Sequence, residues 1–191
     1  MGVEYDLPGN AGVMLNPIFI HVPKTGGANI GTMLKKSRLQ YKGHKRAVDV
    51  IKKIGQEAWD SGWTFAFIRN PWARAASYYL SRSLPKGVTF GDWCKYPKGL
   101  PYCFGDSERS PYSLLCDDGG HLVVSQIYRY EEYAEAISEI QTRLRVNFPM
   151  TYTNVSVKPD NFNYRDLYDD DCRQRVSQLS SWEIDEFGYE F

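Results

Sequence analysis

The chain has 191 residues, 23 Lys plus Arg against 23 Asp plus Glu, 42% hydrophobic and 15% aromatic residues. That length suits one domain, the composition excludes a disordered chain, and no apolar run approaches the roughly 20 residues that cross a bilayer. A formal net charge of zero argues against a general nucleic-acid binder.

In chain order, residues 1–16 read as an irregular arm before a single domain over 17–191. Pro17–Val22 is a short apolar strand stopped by Pro23. Lys24 to Gly27 form a glycine turn that opens a helix over 28–38, with Ile30, Met33 and Leu34 on one face. A second helix is predicted over 45–54, closed by Gly55. Thr64–Ile68 reads as a strand buried on both faces. It runs into Asn70, a natural helix cap, and Pro71, a natural first helical residue, for a helix reaching about Ser83. Residues 84–121 are rich in Pro, Gly, Tyr and Cys and read as a long loop region with one helix near 90–96. Val123–Tyr130 is the third strand, and 131–146 an amphipathic helix. After a loop at 147–168, Asp169, Asp170 and Asp171 start a last helix over 171–181. Strands alternating with helices give an α/β domain with a mainly parallel central sheet flanked by helices.

The zero net charge conceals an asymmetry. Residues 1–100 hold 15 Lys/Arg and 6 Asp/Glu, whereas residues 101–191 hold 8 and 17. The densest basic stretch, 35–53, carries Lys35, Lys36, Arg38, Lys42, Lys45, Arg46, Lys52 and Lys53, opposed only by Asp49. It is either a solvated helix face or a field for an anionic ligand. The four cysteines, Cys94, Cys103, Cys116 and Cys172, form no CxxC pair, and only three histidines accompany them, so no zinc site is expected. Two disulfides are compatible with the count, but reduced thiols are the expectation. The stretch MGVEYDLPGN has no apolar signal region, and Asp6 stands where myristoylation needs Ser or Thr. A cytoplasmic location without a membrane segment is therefore expected, unless the chain is trimmed from a longer secreted protein.

Two motifs carry chemistry. Strand, Pro23-Lys24-Thr25-Gly26-Gly27, helix is an arrangement that aims backbone N–H groups and the positive end of a helix at one anion. The glycines let the backbone approach, and Lys24 adds a point charge. It is not a Walker A loop, because the lysine precedes the glycines. In Phe67-Ile68-Arg69-Asn70-Pro71-Trp72-Ala73-Arg74-Ala75-Ala76-Ser77-Tyr78, Arg69 sits at the strand's carboxyl end, where ligands of open α/β sheets collect. Arg69 and Ser77 could grip one phosphate, by fork and hydroxyl. Separately, each motif also has a bland reading, a simple turn for the first and local charge neutralisation for the second.

Taken together, FIHVPKTGG and FAFIRNPWARAASYY closely resemble the 5′-phosphosulfate loop and 3′-phosphate motif of the sulfotransferases, best the carbohydrate branch with its Golgi heparan and chondroitin enzymes and shorter microbial relatives. The likeness extends through Gly43-His44, Gly55–Trp59, Tyr128–Glu131, Asn154–Ser156 and Asp185–Phe191. It implies a P-loop-like single-domain sulfotransferase fold and transfer of a sulfuryl group from 3′-phosphoadenosine-5′-phosphosulfate (PAPS) to a hydroxyl, on a carbohydrate, releasing 3′-phosphoadenosine-5′-phosphate (PAP). Lys24, Thr25, Gly26, Gly27, Ala28 and Asn29 would hold the 5′-phosphosulfate, and Arg69 and Ser77 the 3′-phosphate. Lys24 would also neutralise charge on the leaving oxygen. Lys158 could reach a phosphate or an anionic acceptor. No metal is implied, since Lys24, Arg69 and the loop amides supply the positive charge. Relatives carry hydroxyls after the glycines where Ala28 and Asn29 stand, so the Asn29 amide would replace one contact.

In-line transfer needs a base for the acceptor hydroxyl. His44 matches the position where this branch carries its catalytic or acceptor-site histidine, with an Asp or Glu of the 106–118 loop in reserve. His21 is read as structural and His121 as a loop residue. Arg129 and Glu131 match a family Arg-x-Glu pattern of architectural kind, and Trp72 and Tyr78 read as packing residues. The 84–121 region would form the acceptor wall, and the surplus at 35–53 would suit an acidic acceptor. Two rivals stand beside this reading: a P-loop-like small-molecule kinase and a non-catalytic nucleotide-binding module.

Overall fold

Strands without a polar side pair where both faces can be covered. β1 (Pro17–Ile20) and β2 (Trp63–Ile68), buried along their whole length, are of this kind, and β3 (Gln126–Arg129), half-buried at three of its four residues, completes a parallel sheet with β2 in the centre. The register sets Ile20 beside Ala66 and Ile68 beside Arg129, so the carboxyl ends of adjacent strands come out at one edge. The computed structural model describes residues 16–34, 43–81, 85–95, 100, 104–147 and 162–191. The arm before residue 16, Lys35 to Lys42, Cys103, Asn154–Ser156 and Lys158 therefore lie outside the described residues.

Nine α-helices fill the described intervals. Between β1 and β2 lie α1 (Gly27–Met33), α2 (Ala47–Ile54) and α3 (Gln56–Asp60). Then come α4 (Pro71–Leu80), α5 (Phe90–Lys95) and α6 (Pro111–Leu115) before β3. After it follow α7 (Tyr133–Leu144), α8 (Asp170–Leu179) and α9 (Ser181–Phe187). Alternation along the strands divides the core in two. Phe19, Phe65, Phe67 and Tyr128 pack with Ile30 of α1 and Ile137 and Ile140 of α7. Ile18, Ile20, Ala66 and Ile68 pack with Val50, Trp59, Trp72, Ala75 and the helices beyond. The domain is α/β with a small parallel sheet.

The expected cap of α4 is present: Asn70 Oδ1 accepts from the amides of Trp72 and Ala73, with Pro71 as the first helical residue. Asp169 likewise caps α8, accepting from the Cys172 amide at 2.7 Å. The elements differ from the sequence reading in several places, among them α3, which follows directly on the helix expected to close at Gly55. The third strand starts at Gln126 rather than Val123, because the Val123 amide turns away to Leu115 and Ser125 exchanges hydrogen bonds with Thr64. The helix predicted from 131 opens as a 3₁₀ turn, Tyr130–Glu132, before α7. The region read as loop contains α6, capped by Ser110 with Pro111 following, and the chain after 181 forms α9.

Cys94, Cys116 and Cys172 are buried free thiols. Among the described residues no helix is long and apolar enough to cross a membrane. The ion pairs Arg46–Asp118, Arg74–Glu183, Lys95–Asp169 and Lys95–Asp171 each join a cation of the first hundred residues to a carboxylate of the rest. The Arg74–Glu183 pair, 2.7 Å and buried, ties α4 to α9, and the Arg74 guanidinium stacks 4.0 Å from the Phe104 ring.

Candidate functional site

The chain leaves β1 through a tight turn and re-enters a helix at Gly26. Thr25 is fully buried and its hydroxyl donates to the Val22 carbonyl at 2.8 Å. That hydroxyl closes the turn, so a ligand could be met only by the Thr25 backbone. Lys24, a non-glycine residue, holds φ of +69°, a conformation that costs on the order of 1 kcal/mol and concentrates at functional sites. Gly26, at φ +76°, is the N-cap of α1, which has neither a side-chain cap nor an acidic residue in its first turn. Ala28 is exposed and Asn29 half-buried there.

The side-chain positions that the two glycines leave open are occupied from within the protein. A Cβ on Gly26 would lie 2.8 Å from the Tyr133 ring, and one on Gly27 would lie 2.1 Å from Cδ2 of His21. The space freed at each glycine is taken by a protein ring. His21 is thus not a remote strand residue. Its imidazole stacks on Phe19 (5.5 Å between centroids), covers Gly27 and meets the His44 ring at 4.4 Å. Gly27→Ala is expected to push this imidazole off the turn and to disturb His44 with it. Heteronuclear NMR of the imidazole resonances checks this: an alanine variant with unshifted His21 and His44 signals would contradict it.

His44 lies just before α2, half-buried, with Nδ1 2.8 Å from the His21 carbonyl oxygen. A carbonyl only accepts, so Nδ1 carries the proton and, in the neutral ring, Nε2 keeps its lone pair. Burial lowers the His44 pKa below the ordinary 6.5; the His21 carbonyl opposes this and the Arg109 charge adds to it. Burial, with His44 beside it, lowers His21 to about 4. Both rings are neutral at pH 7, and His44 has the tautomer of a general base.

Arg69 follows β2 at the neighbouring strand end. Its Nη1 donates to the Lys24 carbonyl at 3.3 Å, its guanidinium lies 4.3 Å over the Tyr130 ring, and its Nε is buried without a hydrogen-bond partner among the described residues. A buried orphan donor on a cation beside a glycine turn is what an anion would complete. Ser77 stands half-buried two turns into α4.

The structure therefore brings Lys24, Thr25, Gly26, Gly27, Arg69 and His44 to one edge of the sheet. Of the reserve carboxylates, Asp117 Oδ1 accepts from the amides of Gly119 and His121, which hold its pKa below the usual range, and Asp118 pairs with Arg46. These are structural roles. Asp117, Asp118 and Gly119 also border an open groove of about 630 Å³ against α2 and α3. Trp72 and Tyr78 are core residues. The Arg129 guanidinium donates to the Phe187 carbonyl and Glu131 binds the Asn70 amide, both architectural. His21, Tyr130 and Tyr133 went unread as site residues. Two adjacent glycines were the only signal, and glycine does not say which ring fills its space. Among the described residues no group of three His, Cys, Asp or Glu could hold a metal.

No protein-family model matches the chain, and no curated protein matches it.

Proposed function

We propose that this protein is a PAPS-dependent sulfotransferase acting on an acceptor hydroxyl of a carbohydrate, with the P-loop-like sulfotransferase fold. What supports this most is the junction at the sheet edge: the glycine turn after β1 and Arg69 after β2 are joined by the Arg69 to Lys24 hydrogen bond, and His44 is tethered to the same turn through His21.

The residues present fit the nucleotide. The turn from Lys24 to Asn29 would hold the 5′ end against uncapped backbone N–H groups, and Arg69, with its orphan Nε, would hold the 3′-phosphate together with Ser77. When bound, PAPS supplies an activated sulfuryl group. Lys24 would supply a positive charge at the turn, where it would stabilise negative charge on the departing oxygen. His44 accepts the acceptor's proton at Nε2 while Nδ1–H stays on the His21 carbonyl, so the ring keeps its orientation through the transfer.

A thermal-shift assay in EDTA tests the nucleotide assignment. PAP is expected to raise the melting temperature, by ligand linkage, more than ADP or ATP at equal concentration. A larger shift with ATP, or no shift with any of the three, would overturn it.

A further inference from the structure

One short segment touches both the glycine turn and Arg69 of the proposed nucleotide site. At the junction of β3 and α7, the Tyr130 ring lies under the Arg69 guanidinium at 4.3 Å. Tyr133 covers Gly26 and donates its hydroxyl to the Gly26 carbonyl at 3.1 Å. Glu131, between them, accepts from the Asn70 amide at 2.8 Å through Oε1 and from the Tyr189 hydroxyl at 3.2 Å through Oε2. Asn70 in turn donates from Nδ2 to the Glu190 carbonyl at 2.7 Å, so Glu131, Asn70 and the 189–190 segment form one braced unit. The two tyrosine rings contact each other at 5.3 Å. Tyr130 stands on the 3₁₀ turn and Tyr133 is the first residue of α7, which packs into the core through Ile137 and Ile140.

We propose that Tyr130 and Tyr133 are positioning residues for the two anion-holding points, Tyr133 holding the glycine turn through its hydroxyl and Tyr130, whose ring also borders Gly26, holding the Arg69 guanidinium, so that Tyr130 confers selection for a nucleotide with a 3′-phosphate. This rests on the assignment of Arg69 to that phosphate. The physical basis is pre-organisation. A guanidinium stacked on an aromatic face is held in one plane before the ligand arrives, and less ordering is needed on binding. A Tyr133 hydroxyl on the Gly26 carbonyl holds a left-handed residue in place and acts on any nucleotide that uses the turn.

The test compares PAP with 5′-AMP, which differs only in lacking the 3′-phosphate, by calorimetry on wild type, Tyr130→Leu, Tyr130→Phe and Tyr133→Phe. Tyr130→Leu is expected to weaken PAP about tenfold and 5′-AMP by about twofold at most, and Tyr130→Phe, which keeps the ring face, to bind as wild type. Tyr133→Phe is expected to weaken both ligands by a similar factor of about five, leaving their ratio unchanged. If Tyr130→Leu does not fold, Tyr130→Met, which keeps bulk without a ring face, takes its place. Wild type that binds PAP no better than 5′-AMP removes the Arg69 assignment and this inference with it. Selective wild type whose ratio survives Tyr130→Leu overturns the inference alone, as does a ratio altered by Tyr133→Phe.

Discussion

Replacing His44 with alanine is expected to lower sulfuryl transfer by about 10²–10⁴, the usual contribution of a positioned base, with PAP affinity within about twofold of wild type, because no proton moves on binding. The geometry gives this its direction. Nδ1–H is committed to the His21 carbonyl, so only Nε2 can take a proton, and only while the ring is neutral. The His44 pKa is held below 6.5. The rate should therefore rise with pH up to a midpoint below 6.5 and stay level through neutrality. The alanine variant should also lose that acid limb. It has a second signature that does not depend on turnover. Removing His44 takes away one of the two causes that depress His21, so the His21 titration should move up from about 4. Full activity in His44→Ala would remove the base assignment. Loss of PAP binding together with activity would make His44 a brace of the turn.

The parts legible in the sequence were those decided by local chemistry. Asn70-Pro71 announces the start of α4, because one side chain can satisfy two orphan amides and proline loses nothing at that position. Thr64–Ile68, short and apolar but for Thr64, reads as a covered strand, and β2 adds only Trp63 to it. What was not legible depended on distant partners. Ser110-Pro111 carries the same start signal as Asn70-Pro71, but the helix it opens is five residues long, too short to leave a periodic trace. Val123 and Ser125 are strand-forming or neutral, and only Leu115 and Thr64 divert them.

Charge shows the same limit. The surplus of positive charge in the first hundred residues suggested an anionic client. Part of it is already neutralised within the fold, by Asp118, Glu183, Asp169 and Asp171 of the acidic half. Opposite surpluses in two stretches of one chain thus serve first to join those stretches. Arg69 is the arginine with a buried, unpartnered Nε that stands beside the glycine turn: it stacks on Tyr130 and donates once to the Lys24 carbonyl, whereas Arg175, whose Nε is also buried without a partner, lies on α8.

Arg69→Ala is accordingly expected to weaken PAP by about 100-fold or more, the scale of removing one partner from a desolvated charged contact, while 5′-AMP affinity falls by about fivefold at most through the lost bond to Lys24. Arg69→Lys should not restore PAP binding. A lysine ammonium can reach the Lys24 carbonyl or a phosphate, but it has no planar fork to lie on Tyr130 while presenting a second and third N–H elsewhere. The two substitutions separate charge from shape: a lysine that rescues would mean that a point charge suffices and that the stack on Tyr130 is incidental. Equal loss of PAP and 5′-AMP in both variants would make Arg69 a support for the glycine turn, leaving the 3′-phosphate to be held by residues outside this edge of the sheet. An unchanged PAP affinity in Arg69→Ala would exclude both roles.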